Sequence, residues 1–380
     1  MSRHGNGGAA RVDVCPERNR LLRPLDGSIR TLRQPRHAAR RAQLIYVSDQ
    51  QPGFRRIRRG KGYRYIDPDG APVGSTELAE RISALAIPPA WTDVWIAADP
   101  FAHIQATGRD QTGRKQYRYH PAWIACRDEA KFSTLAAFAR KLPLLRLQAE
   151  EDLQRRGLNR RRVIASIVVL LDDTMIRIGN DIYARQNRSY GLSTLRQRHV
   201  AIEGSEIRFS FIGKSGQEWN VRLRDRRLAY IVRSLQELPG QRLFQYIDEH
   251  GTPVPVLSQD INAYIQEALG PEFTSKHFRT WGASKAAAAI LAETPLPESK
   301  RQQTTDLNAC IDKVARRLRN TRSICRRCYI HPRILETWLS GRLGEELAAL
   351  AARGGRVPKG LDKDEALLLR WLEQSDPDCS

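Results

Sequence analysis

The chain has 380 residues, with 63 Lys and Arg against 42 Asp and Glu, a formal charge of +21. Its length accommodates two domains, and a hydrophobic content of 41% excludes a wholly disordered chain. The charge points to a polyanionic partner, nucleic acid above all, held partly by counterion release.

No stretch reaches the roughly 20 apolar residues of a membrane span, so no membrane partner is expected. The first twenty residues are polar and Gly/Arg-rich, without an apolar signal core, which predicts a cytoplasmic protein. The Ala/Arg-rich composition is of the kind a GC-rich bacterial genome encodes. Six cysteines make no disulfide framework. Cys325-x-x-Cys328 lacks the second matched pair of a zinc knuckle, and Cys310 with His331 is a poor substitute, so no metal is expected.

Residues 1–44 lack apolar periodicity and are expected to form a basic, flexible arm. Residues 45–122 carry mostly strand and turn signals. Tyr63 to Ile66 runs into the turn Asp67-Pro68-Asp69-Gly70, and Val94 to Ala98 ends at Asp99-Pro100. His103 to Thr107 and Gln116 to Tyr119 flank a hairpin turn over Gly108 to Gly113. One helix interrupts this from Ser75 to Leu85, with Ser75 or Thr76 as its cap. Beyond Trp123 the period becomes helical. Helices are predicted over 132–147, 161–178 with Gly179 as its stop, 226–237, 259–269, 275–292, 307–318 and 332–353. A strand pair, Ile207 to Phe211 and Trp219 to Leu223, is joined through Gly213-Lys214-Ser215-Gly216. Residues 354–380 read as a C-terminal tail with a short helix. The expected architecture is α+β, a small β-rich N-terminal domain (45–122) before a larger, mainly α domain (123–353) holding one β-hairpin.

Gly213-Lys214-Ser215 resembles the end of a phosphate-binding loop, but position 208 is Arg rather than Gly and a strand follows instead of a helix. Asp172 and Asp173, adjacent on a helix, point about 100° apart and make no metal pair. Cations do occupy special places: Arg177 just before Gly179, Lys214 at a hairpin tip, and Arg279 in the first turns of a helix, where an arginine fork and a helix N-terminus both favour phosphate. Each alone is more often a surface ion pair. Tyr329 stands among arginines just before Pro332, and by itself it is as readily a packed tyrosine before a helix.

Five segments together resemble the bacterial and poxvirus-like type IB DNA topoisomerases, in the family's order, over about residues 45–340. They are Gly108-Arg109-Asp110 with Gly113 to Tyr119; Thr174 to Gly179 with Tyr183 and Gly191-Leu192-Ser193-Thr194-Leu195; Phe211-Ile212-Gly213-Lys214; Lys276-His277-Phe278-Arg279-Thr280-Trp281-Gly282-Ala283; and the segment ending at Tyr329. The resemblance implies Tyr329 as nucleophile, Arg177 and Arg279 as phosphate clamps, Lys214 as the acid for the leaving group, and Lys276 as an assistant. It implies DNA contacts from Gln116, Tyr117, Tyr119 and Tyr183; for the two hairpin tyrosines this reading is favoured over the alternative, a cross-strand packing pair. It further implies a monomer closing as a clamp around double-stranded DNA, with no ATP, no metal and no other cofactor. One position departs from the family: a histidine usually stands nine residues before the nucleophile, where this chain has Asn320. An amide can donate to a phosphate oxygen but cannot carry a proton away.

Two other readings use the same residues. Tyrosine recombinases share the catalytic groups, but typically carry His-x-x-Arg where this chain has Lys276-His277-Phe278-Arg279, and their N-terminal domain is helical. A non-enzymatic nucleoid protein would bind DNA without a covalent adduct.

Overall fold

A computed structural model of the chain describes residues 35–60 and 62–374. The chain divides after Arg127 into two compact units. The first contains α1 (Pro35–Arg41), β1 (Gly53–Arg59), β2 (Gly62–Ile66), α2 (Thr76–Ala84), β3 (Thr92–Ala97), β4 (Ile104–Arg109), β5 (Lys115–Tyr119) and the start of α3 (Pro121–Ser133). Its strands form one antiparallel sheet in the order β2-β1-β3-β4-β5. Strand alternation sends Val94, Ile96, Ala106 and Phe54 to one face, where Ile82 of α2 covers them; Trp95 and Ala97 pack on the other side with Ala102 and Val47. Ser75 caps α2 by accepting from the Leu78 amide, as its type predicts. At the β4–β5 turn, Asp110 Oδ1 accepts from the backbone amides of Thr112 and Arg114.

Two features of this unit differ from the sequence expectation. The arm expected to reach residue 44 becomes helical at Pro35. Ala38 and Ala39 are buried there with Leu44, Trp123 and Cys126, because two small residues let the helix lie close to α3; residues 1–34 lie outside the described residues. The strand β1 has no legible alternation because Arg56 takes an inward position. Its guanidinium lies 4.2 Å from the Tyr63 ring centroid and donates to the carbonyls of Ile87, Pro88 and Trp91.

The second unit continues through α4 (Leu135–Leu153), α5 (Arg160–Thr174), α6 (Asp181–Asn187), β6 (Val200–Glu203), β7 (Glu206–Ile212), β8 (Glu218–Arg224), α7 (Arg226–Gln236), β9 (Gln245–Ile247), β10 (Pro253–Pro255), α8 (Ser258–Leu269), α9 (Lys276–Ala292), α10 (Lys300–Leu318), α11 (Arg322–Cys328), α12 (Pro332–Leu339), α13 (Leu343–Ala352) and α14 (Lys363–Glu373). Its core runs from Leu135, Phe138 and Leu142 through Ile164, Ile167 and Leu171 to Phe278, Trp281 and Leu291. The expected strand pair is part of a three-stranded sheet, β6-β7-β8.

Several helix ends move. The helix predicted to run to Ile178 stops at Thr174, because Met175 takes a left-handed conformation with φ 55° and its carbonyl is captured from another helix. The single helix expected over 332–353 is broken at Gly341, with φ 78°. The C-terminal segment is no tail up to residue 374. Trp371, Leu368, Leu369 and Leu372 of α14 join the core, and Glu365 on the same helix is 2% exposed against Arg146 and Trp281.

Candidate active site

The site begins where α5 ends. After Met175 the chain leaves the helix, passes through Arg177 and reaches Gly179, with φ +94°. The amides of Leu192 and Ser193 donate to the carbonyls of Arg177 and Ile178, at 2.9 and 2.7 Å. This contact needs two glycines. A Cβ on Gly191 would sit 2.4 Å from the Arg177 carbonyl oxygen, and one on Gly179 would sit 2.6 Å from Thr194 Oγ1. The two halves of the Arg177 motif, separated in sequence, are therefore one structural piece.

Arg279 lies one turn into α9 and is 3% exposed. Its guanidinium donates to the Met175 carbonyl and, at 2.8 Å, to the Leu318 carbonyl, which ties the ends of α5 and α10 together. Its Nε is buried without a partner among the described residues. Burial, with the like charge of Arg177, pushes its pKa down to about 10, which still leaves it cationic at neutral pH. The helix N-terminus expected to act alongside it plays no visible part: Ser275 makes no side-chain cap, and the Arg279 fork is spent on carbonyls.

Arg177 reaches across to Asn320, just beyond α10, donating to Oδ1 at 2.7 Å. A guanidinium only donates, so the amide is fixed with Oδ1 toward Arg177. Its Nδ2 is left buried and unpartnered among the described residues. An amide N–H held this way is available to an incoming acceptor.

Tyr329 follows α11, and α9 fixes its backbone: Ser284 Oγ donates to the Tyr329 carbonyl at 3.2 Å and accepts from the His331 amide at 3.0 Å. The Tyr329 ring centroid lies 5.0 Å from the Arg279 guanidinium carbon. Burial by itself would push the phenol up, but the Arg279 and Arg177 guanidiniums, through charge and hydrogen bonding, outweigh it and hold the phenol below the ordinary tyrosine range. Lys131 of α3 is a further member that the sequence did not reveal. Its Nζ lies 5.3 Å from the Tyr329 ring centroid and 4.6 Å from that of Phe132. Burial pushes its pKa down, and the like charge of Lys276 adds to this. Nothing in the polar stretch Asp128-Glu129-Ala130-Lys131 sets this lysine apart from a surface one.

Four of the predicted residues, Arg177, Arg279, Asn320 and Tyr329, thus converge. Lys214 does not join them. It is exposed at the β7–β8 tip, where Ser215 has φ 62°, and no hydrogen bond ties it to the cluster among the described residues. Lys276, the first residue of α9, is likewise exposed. Gln116, Tyr117 and Tyr119 belong to the other unit. Gln116 donates to Asp110 Oδ2 at 2.8 Å. The two tyrosines stack on each other along one strand, centroids 5.7 Å apart and planes at 11°, each about two-fifths exposed. Tyr183 stands exposed on α6. Cys325 is fully buried with its thiol pushed up to about 12 by that burial, which suits packing rather than metal ligation.

Sequence comparison sets this arrangement among known proteins. The family described as "Eukaryotic DNA topoisomerase I, catalytic core" matches residues 120–340, and "Bacterial DNA topoisomerase IB, N-terminal domain" matches residues 62–110. A DNA topoisomerase 1B of Acanthamoeba polyphaga mimivirus is 39% identical over 293 residues, covering 75% of this chain and 87% of the viral protein. The chain belongs to the type IB DNA topoisomerases. More distant members include the DNA topoisomerase I of monkeypox virus, 22% identical over 264 residues (68% of this chain, 81% of the relative), and the DNA topoisomerase 1 of rabbit fibroma virus, 22% identical over 270 residues (69% and 82%). The two family matches fall on the two sides of the topoisomerase's architecture: the N-terminal match covers β2 through β4, and the catalytic-core match spans α3 to α12 and with it every residue of the cluster around Tyr329.

Proposed function

We propose that this topoisomerase relaxes supercoiled DNA through a covalent bond between Tyr329 and a 3′-phosphate. The supporting observation is the convergence on one phenol of two guanidiniums and an ammonium, with an unpartnered amide N–H beside one of the guanidiniums. Tyr329 Oη attacks the phosphorus of one strand, forming the 3′-phosphotyrosyl link, while the bond to the 5′-oxygen breaks. Arg177, Arg279 through its unpartnered Nε, and Nδ2 of Asn320 donate to the non-bridging oxygens, where negative charge grows; such preorganised donors are typically worth roughly 10²–10³ each in rate. The phenol proton is lost to solvent, which the lowered pKa favours. The departing 5′-oxygen takes a proton from Lys214, whose place on an exposed hairpin tip lets it reach the DNA once bound. Lys276 assists that transfer.

The free 5′ end rotates about the intact strand, then attacks the phosphotyrosine and releases Tyr329. The phosphotyrosyl bond conserves the backbone energy, so no ATP is consumed, and the arginines supply the positive charge that a metal supplies elsewhere. Gln116, Tyr117, Tyr119 and Tyr183 contact the duplex, and both units grip it as a clamp. The enzyme acts as a monomer on double-stranded DNA in the cytoplasm. Supercoiled plasmid incubated in EDTA without ATP, beside a Tyr329→Phe variant, tests the reading. Relaxation of both supercoil signs by the wild type alone supports it; binding without relaxation by either protein overturns it.

A further inference from the structure

The segment from Gly53 to Ile66 contains Arg55, Arg56, Arg58, Arg59, Lys61 and Arg64 and no acid. Arg56 is consumed by Tyr63 and three carbonyls. Arg55, Arg59 and Arg64 are exposed and pair with no carboxylate among the described residues. Elsewhere on the same sheet, cations do find acids: Lys115 lies 2.5 Å from Asp49, and Arg109 lies 3.5 Å from Asp93.

The register places these three arginines together. Arg55 opposes Ile66, Ile57 opposes Arg64, and Arg59 opposes Gly62. Residues directly opposite in an antiparallel pair share a face, so Arg55, Arg59 and Arg64 surround the exposed Ile57 on one side. The same rule carries that face across the sheet, from Arg55 to Trp95, to Thr107, to Tyr117. The cationic ribbon and the Tyr117 and Tyr119 surface therefore point to the same side. Charge placed only to block edge-to-edge aggregation belongs on the outermost strand. Two of these arginines are on β1, one strand in. Three strand spacings separate β1 from β5 and four separate β2 from it, roughly 14 and 19 Å, the length of about four to six base pairs.

We infer that the Arg55, Arg59 and Arg64 face is a phosphate-holding extension of the DNA-binding surface, gripping duplex about four to six base pairs from the stretch that β5 meets. The inference rests on the proposal that the Tyr117 and Tyr119 face contacts DNA. Its test compares the full chain with the R55Q/R59Q/R64Q variant, by fluorescence anisotropy, on a duplex of about 40 base pairs. Three lost contacts make the plot of log affinity against log salt shallower by about 2.7. Between 50 and 200 mM salt the wild type then loses about 40-fold more affinity than the variant. R55K/R59K/R64K keeps the wild-type slope. Equal slopes for wild type and the Gln variant overturn the inference. An unchanged thermal unfolding curve for the Gln variant shows that the sheet is intact; if it is not, the single variants R55Q, R59Q and R64Q are each expected to lower the slope by about 0.9, and unchanged slopes in them overturn the inference. A Y117A/Y119A variant that binds as tightly as wild type marks the failure of the underlying reading instead.

Discussion

Replacing Glu365 by Gln removes the charge that fastens α14 to the rest of the catalytic unit. The carboxylate accepts from Arg146 at 2.7 and 2.9 Å, Trp281 Nε1 at 3.1 Å, Lys285 at 3.4 Å and the Asp362 amide at 3.0 Å. Burial acts to raise its pKa, but hydrogen bonding and charge from Arg146 outweigh that and pull it down to about 2. Against an ordinary glutamate this depression is worth about 3 kcal/mol of folding stability. A depressed carboxyl stabilises fully above its unfolded pKa and loses that contribution as pH falls through its folded one. The stability gap between wild type and Glu365→Gln is expected to be about 3 kcal/mol at pH 7, about 2 kcal/mol near pH 3.5, and small near pH 2. Urea unfolding followed by tryptophan fluorescence measures it. His331, half-buried, and His199, buried, each pushed down to about 4 by burial, also erode stability as pH falls from about 6.5. They do so in both proteins and cancel in the difference. A variant as stable as wild type at neutral pH, or a gap that fails to narrow on acidification, refutes the reasoning.

Three further outcomes follow from the site. Asn320→Ala removes the one neutral donor; adduct formation under single-turnover conditions should slow by roughly 10²-fold, and an unchanged rate takes Asn320 out of the reaction. Arg177→Gln should raise the apparent pKa of Tyr329, moving the alkaline rise in adduct formation to higher pH; a profile that stays put means the guanidinium does not act on the phenol. Gly191→Ala forces its Cβ onto the Arg177 carbonyl, so relaxation should fall markedly while a duplex still binds; full activity would show that the Arg177 loop tolerates displacement.

Much of the fold was legible because apolar periodicity is a local signal. The helices carrying Ile164 to Leu171 and Leu228 to Leu235, and the alternating Ile207, Phe209 and Phe211, appear where the spacing puts them. Failures came where a distant group replaced a local one. The stop at Met175 is completed by an arginine 104 residues away, and the inward arginine of β1 is satisfied by carbonyls more than 30 residues on. Within the cluster, Arg177, Arg279 and Tyr329 were singled out by segments that resemble a family, not by charge. Their geometry was not foreseeable: Arg279 spends its fork on backbone carbonyls. Ser284 and Lys131 escaped notice because a serine in a helix and a lysine in a polar run have no signature until the chain folds around Tyr329.

The position of α14 in the chain has a consequence during synthesis. Every residue of the cluster, from Lys131 to Tyr329, is made before Glu365. Yet Glu365 bonds Trp281 and Lys285 on α9, the helix that holds both Arg279 and the backbone of Tyr329. A nascent chain that has emerged only through α12 thus has every residue of the cluster but not the brace on the helix that carries Arg279 and holds the Tyr329 backbone. Docking of α14, made after the whole cluster, is therefore the step that completes the support of α9.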